Sequence, residues 1–157
     1  MTSLDLIFQY RTLLGKCESG AGLDLDEIDT VIAIEASFAP GEDDFRARDG
    51  RRFRRERVDL VAVIKGGSLN DKVQITELSP GGLVVSAAPY ADEGQVLEIV
   101  IDDAELSLSY RFKARVQWLR EDHGDDFQLG LALIGTPVLV HYGTDRPAED
   151  SIKRIAA

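Results

Sequence analysis

Cysteine is almost absent from this sequence: Cys17 is the one thiol among 157 residues. An intrachain disulfide is therefore excluded, and so is a cysteine metal cluster. Histidine is nearly as scarce. His123 and His141 stand apart, with no serine or cysteine close in sequence to either. Long apolar runs are also missing. Val58–Ile64 and Val96–Ile101 are short and interrupted by acids, far from the roughly 20 residues of a membrane span. The opening Met1-Thr2-Ser3-Leu4-Asp5 has neither a basic stretch nor an apolar core, so no signal peptide is expected. With one cysteine and no export signal, the expected location is the cytoplasm.

Positive charge is in short supply too, 18 bases against 28 acids for a net charge of −10. Such a chain is repelled by nucleic acid and anionic surfaces, and no DNA or RNA partner is expected. Yet the bases are not spread evenly. Between Arg46 and Arg57 stand seven arginines against Asp49 and Glu56. Other chemistry is hard to find. Asp102-Asp103 and Asp125-Asp126 lack the alternating oxygen spacing of a calcium loop and read as solvated turns. Gly20-Ala21-Gly22 lacks the third glycine and preceding strand of a dinucleotide fingerprint. Cys17 reads as a buried small side chain. No metal, cofactor or catalytic constellation is expected, and an enzyme is not the reading.

Three regions separate by pattern. Residues 1–39 read as a helical hairpin. Leu4, Ile7, Phe8 and Leu14 fall near helical spacing, Ser19-Gly20-Ala21-Gly22 breaks it, and Asp24 with Glu27 forms a capping box for a second helix. Leu25, Ile28, Val31, Ile32 and Phe38 give that helix its apolar side. Residues 40–50 are a linker. The chain through Asp44 holds ten acids and two bases.

Residues 51–136 read as six short strands: Val58–Val63, Val73–Leu78, Leu83–Val85, Val96–Ile101, Leu106–Leu119 and Phe127–Ile134. Turn residues separate them, and no helical period intervenes. That order implies a mainly β fold, an antiparallel barrel or sandwich. Residues 137–157 form a tail in which Val138-Leu139-Val140 is either a last strand or a helix start, and Asp150–Ala156 reads as a short helix.

Several of these features coincide in order and spacing. Arg51-Arg52-Phe53-Arg54-Arg55-Glu56-Arg57 leads straight into the first strand. Glu77-Leu78-Ser79-Pro80-Gly81-Gly82-Leu83 follows about twenty residues later. Ala114-Arg115-Val116-Gln117-Trp118 and Leu129-Gly130-Leu131-Ala132-Leu133 close the region. Together they resemble the PilZ domain family, with its RxxxR and (D/N)xSxxG motifs. The resemblance implies a six-stranded antiparallel barrel, here preceded by the helical hairpin. It also implies a signalling adaptor whose ligand is the bacterial second messenger cyclic di-GMP. The implied ligand-binding residues are Arg51, Arg52, Arg54, Arg55, Glu77, Ser79 and Gly82. The chemistry fits: guanine O6 and N7 suit a bidentate guanidinium, phosphates attract the same group, and a glycine lets the backbone approach.

Two departures stand out. Glu77 occupies the Asp/Asn position, one methylene longer. Arg51 and Arg55 satisfy RxxxR, but the residue just before the strand is Arg57, with Phe53 four positions ahead of it. These departures leave a second reading open: a degenerate member that binds only protein. Trp118 reads as a core or barrel-wall residue. Two short helices bury little alone, so the hairpin must pack on the barrel, self-pair as a homodimer, or present its acidic face to a protein partner.

Overall fold

The computed structural model describes residues 2–39 and 53–141. Two helices, α1 (Ser3–Glu18) and α2 (Leu25–Ser37), precede six strands. These are β1 (Glu56–Gly66), β2 (Leu69–Ser79), β3 (Gly82–Ala88), β4 (Val96–Asp103), β5 (Leu108–Glu121) and β6 (Phe127–His141). The strands close into an antiparallel barrel in the order β1-β2-β3-β6-β5-β4. The fold is the one the sequence implies. The linker residues 40–50, Arg51, Arg52 and the helix expected at Asp150–Ala156 lie outside the described residues. No described helix is long and apolar enough to cross a membrane.

Both helices begin on capping boxes. Asp24 accepts from the Glu27 N–H as the sequence suggests, and Thr2 with Asp5 repeats the device on α1. Each satisfies two backbone donors that a helix start leaves orphaned. The strands alternate. Tyr110, Phe112, Ala114 and Val116 of β5 and Leu129, Leu131 and Leu133 of β6 are buried, while their neighbours face outward. Ile7, Tyr10, Ile34 and Phe38 of the hairpin join the same hydrophobic core. The hairpin is thus continuous with the barrel interior.

The docking of α1 depends on an irregularity in β6. Arg111 pairs with Val138 but Lys113 pairs with Ile134, so Gly135, Thr136 and Pro137 form a bulge. Gly135 takes a positive φ of 64°. Its carbonyl accepts from the buried Arg11 guanidinium at 2.8 Å. A Cβ on Gly15 would sit 2.0 Å from Thr136 Oγ1, so only glycine lets α1 approach this closely. Phe8 adds edge-on contacts to Tyr110 and Phe112.

From sequence the barrel is expected to end at 136, whereas β6 runs to His141. The reason is that Gly-Thr-Pro, a terminating pattern, is absorbed as a bulge and pairing resumes at Val138. Val138–Val140 is therefore strand. Cys17, expected to be buried, is exposed.

Candidate functional site

A cleft of about 350 Å³ opens on the outer wall of the barrel. Phe53, Arg55, Ser79, Gly82, Trp118 and Gly130 are among the residues lining it. Each is placed by a local feature of the chain. Pro80 and Gly81 form a two-residue turn between β2 and β3, with Ser79 paired to Gly82. The Ser79 hydroxyl braces that turn. It donates to the Gly82 carbonyl at 3.2 Å and lies 3.3 Å from the Gly82 N–H that donates to it. A Cβ on Gly82 would lie 2.3 Å from the Leu131 carbonyl oxygen, so the β3–β6 approach requires glycine here.

Trp118 reaches the cleft because β5 carries a bulge. Val116 pairs with Leu131, but Trp118 pairs with Gly130. The extra residue, Gln117, reverses the inside–outside alternation. Trp118 therefore turns outward, half-buried, and lies flat over Gly130, where a Cβ would come within 2.1 Å of the indole. The Arg120 guanidinium covers the ring at 4.7 Å from its centroid. Sequence alternation alone assigns Trp118 to the core or wall. The adjoining Gln117 gives no sign of the bulge; only Gly130, opposite an indole, hints at it.

The residues singled out from the sequence divide. Arg55, Ser79 and Gly82 meet around the cleft. Glu77 is not among its lining residues. It projects from β2 beside the cleft and pairs with Arg55 at 3.4 Å, each side chain about 30% exposed. Arg54 points elsewhere. Its backbone N–H donates to the Phe38 carbonyl at 2.7 Å, its guanidinium donates to the Ser37 carbonyl at 3.0 Å, and it lies over the Phe38 ring. A cation at the last carbonyls of α2 is where a helix C-terminus favours one. Arg51 and Arg52 lie outside the described residues.

Phe53 connects the cleft to the hairpin. It touches the position a Gly81 Cβ would take, at 3.5 Å, and meets Tyr10 of α1 edge-on at 5.6 Å. The Tyr10 hydroxyl donates to Glu35 of α2 at 2.9 Å. A second cleft, of about 330 Å³, separates α1 from α2 and is bordered by Asp24, Asp26 and Glu27. Among the described residues, no group of three or more His, Cys, Asp or Glu side chains is placed to hold a metal.

The family model described as PilZ domain matches residues 49–138. No curated protein matches the chain. Among solved structures, the Borreliella burgdorferi PlzA protein in complex with c-di-GMP is similar at 19% identity and a TM-score of 0.41. That match covers 71% of this chain and 43% of PlzA, so the chain spans less than half of that protein's length.

Proposed function

The chain belongs to the PilZ family, and from that premise we propose that it is a bacterial cytoplasmic signalling adaptor, not an enzyme, that binds cyclic di-GMP at the cleft beside Trp118. The observation that carries this reading is the convergence of Arg55, Ser79 and Gly82 on one cleft with an aromatic on its wall. Its volume lies at the low end of the range for small-molecule sites, about 300–1,000 Å³. That is room for one nucleotide half of the ligand.

The neighbouring Arg55 and Glu77 suit guanine in particular. A guanidinium donates to O6 and N7, while a carboxylate accepts from N1–H and N2–H. Adenine offers the opposite pattern at its 6-position and loses the match. Arg51 and Arg52 add cations for the phosphates. Arg54 holds the arm to α2 and is not part of this contact set. Binding is felt at the hairpin because Phe53 packs in the cleft on one side and against Tyr10 on the other. The hairpin, with its acids, is then the surface offered to a protein partner, and a basic patch suits it.

One observation favours the rival reading, an adaptor that binds protein only. Arg55 is already paired with Glu77, and a ligand must compete with that carboxylate. Isothermal titration with cyclic di-GMP, with GMP as control, separates the two. Trp118 is the chain's one tryptophan, so its emission reports on the same cleft in parallel. Micromolar or tighter binding with a change in Trp118 emission is expected, weakened at least about tenfold, or about 1.4 kcal/mol, in Arg55→Ala. No binding up to about 1 mM, a free energy weaker than about −4 kcal/mol, overturns the nucleotide reading.

A further inference from the structure

α2 is poorly covered for an apolar helix. Ile34 is its one fully buried residue, while Leu25 is 79%, Ile28 39% and Ile32 57% exposed. These three stand at i, i+3 and i+7 and form one stripe. Asp29 borders the stripe, and α2 carries no base. Helix α1 lies against its other side.

The barrel has an exposed apolar face of its own among the described residues. Val63, Val100, Arg111 and Val138 are successive register partners across β1, β4, β5 and β6. They form one row on the outside of the sheet, since Arg111 alternates with the buried Tyr110 and Phe112. Val138 and, two residues along β1 from Val63, Val61 are each 55% exposed. Outward faces of antiparallel sheets are normally polar. A shallow cleft of about 330 Å³ marks this face, with Lys65, Arg111, Asp102 and Ser109 among its lining. Ser109 is buried, and its Oγ has no hydrogen-bond partner among the described residues.

The two surfaces complement each other. One is apolar with acid beside it and no base; the other is apolar with two cations and one acid. Neither surface is covered by the described residues, since Leu25, Ile32, Val61 and Val138 are all more than half exposed. We infer that two copies of this chain pair reciprocally, the exposed stripe of α2 from each seated on the valine face of its partner's barrel. A two-fold axis satisfies both surfaces on both copies and closes the assembly. Direct α2–α2 pairing instead sets acid against acid. The inference rests on the hairpin being the working surface, not on nucleotide binding, so a failed titration leaves it standing.

Sedimentation velocity over a concentration series tests it, with circular dichroism to confirm that each variant folds. The wild type is expected to dimerise, more weakly as salt rises. Ile32→Glu on α2 and Val138→Glu on the barrel should each abolish the dimer. Mixing the two variants should restore a weaker heterodimer, because one of the two reciprocal contacts is then intact. Three outcomes overturn the inference: a wild-type monomer at all accessible concentrations, a Val138→Glu variant that still dimerises, or a mixture that stays monomeric.

Discussion

Replacing Gly130 by alanine isolates the placement of Trp118. The new Cβ would sit 2.1 Å from the indole Cε2 and Nε1. Carbon contacts settle at about 3.5–4.0 Å, so the ring must retreat by about 1.5 Å. The β6 backbone at this point is ordinary strand, so the clash is with a side chain and the indole yields. A fully buried tryptophan removes about 150–250 Å² from water. Losing about a third of that, roughly 60 Å² at about 25 cal/mol per Å², costs about 1.5 kcal/mol. Disturbing the Arg120 stack adds about 0.5–1 kcal/mol. Alanine recovers about 0.5–1 kcal/mol through its lower backbone entropy in a strand. The expected net loss is about 1–2 kcal/mol. Urea unfolding followed by circular dichroism measures it. Native-state emission provides a second readout: it should shift to longer wavelength and become more accessible to iodide. Unchanged emission together with equal or greater stability would refute the flat packing of Trp118 on Gly130, and with it the wall of the proposed site.

Arg54→Ala should leave cyclic di-GMP affinity within about threefold, under about 0.7 kcal/mol, while Arg55→Ala weakens it strongly; equal losses in the two titrations would return Arg54 to the contact set. Gly15→Ala should destabilise by about 1–2 kcal/mol through overpacking against Thr136, despite alanine's better helix propensity; Thr136→Gly in the same chain should recover most of the loss in thermal melts. Tyr110 donates to Asp5, and that hydrogen bond holds the Asp5 carboxyl below its ordinary range. A depressed carboxyl stabilises the fold above its unfolded pKa of about 3.9, and that contribution fades as pH falls through the folded value. Tyr110→Phe should therefore cost about 1–3 kcal/mol at neutral pH, and the gap to wild type should narrow in urea titrations carried into acid; a constant gap would refute the linkage. In the wild type, burial first and the Asp5 carboxylate second push the Tyr110 phenol well above its usual value. This contribution is intact below about pH 10 and is lost at higher pH, as the phenol ionises.

The strands were legible because their side chains alternate, and the second helix because Asp24 and Glu27 announce its start. The cleft was legible in part. Ser79 and Gly82 stand in a motif whose spacing is set by a tight turn, so local sequence carries their geometry. Trp118 was not legible, because its direction depends on an extra residue in β5 relative to β6. That mismatch exists only once two strands are paired. The same holds for β6 beyond Ile134, where Pro137 looks like a stop and is instead part of a bulge. Arg54 and Arg55 are chemically identical neighbours. What divides them is the position of the α2 C-terminus at Ser37, which lies 17 residues before Arg54 in the sequence. Buried Arg11 reads as a surface residue until the Gly135 carbonyl is in place to receive it.

The strand order has a kinetic consequence. β1–β2, β2–β3, β4–β5 and β5–β6 are hairpins between sequence neighbours, but the ring closes only where β3 meets β6 and β1 meets β4. The second of these seams consists of three residue pairs, Val63–Val100, Ile64–Ile99 and Lys65–Glu98. Distant segments must pay loop-closure entropy before such a seam returns anything, and one so short returns little. The two hairpin groups should therefore form first and the β1–β4 seam last. In the folded protein the same seam is the place where the ring opens most readily, and the amide protons shared by these three pairs are the ones expected to exchange ahead of the rest of the barrel.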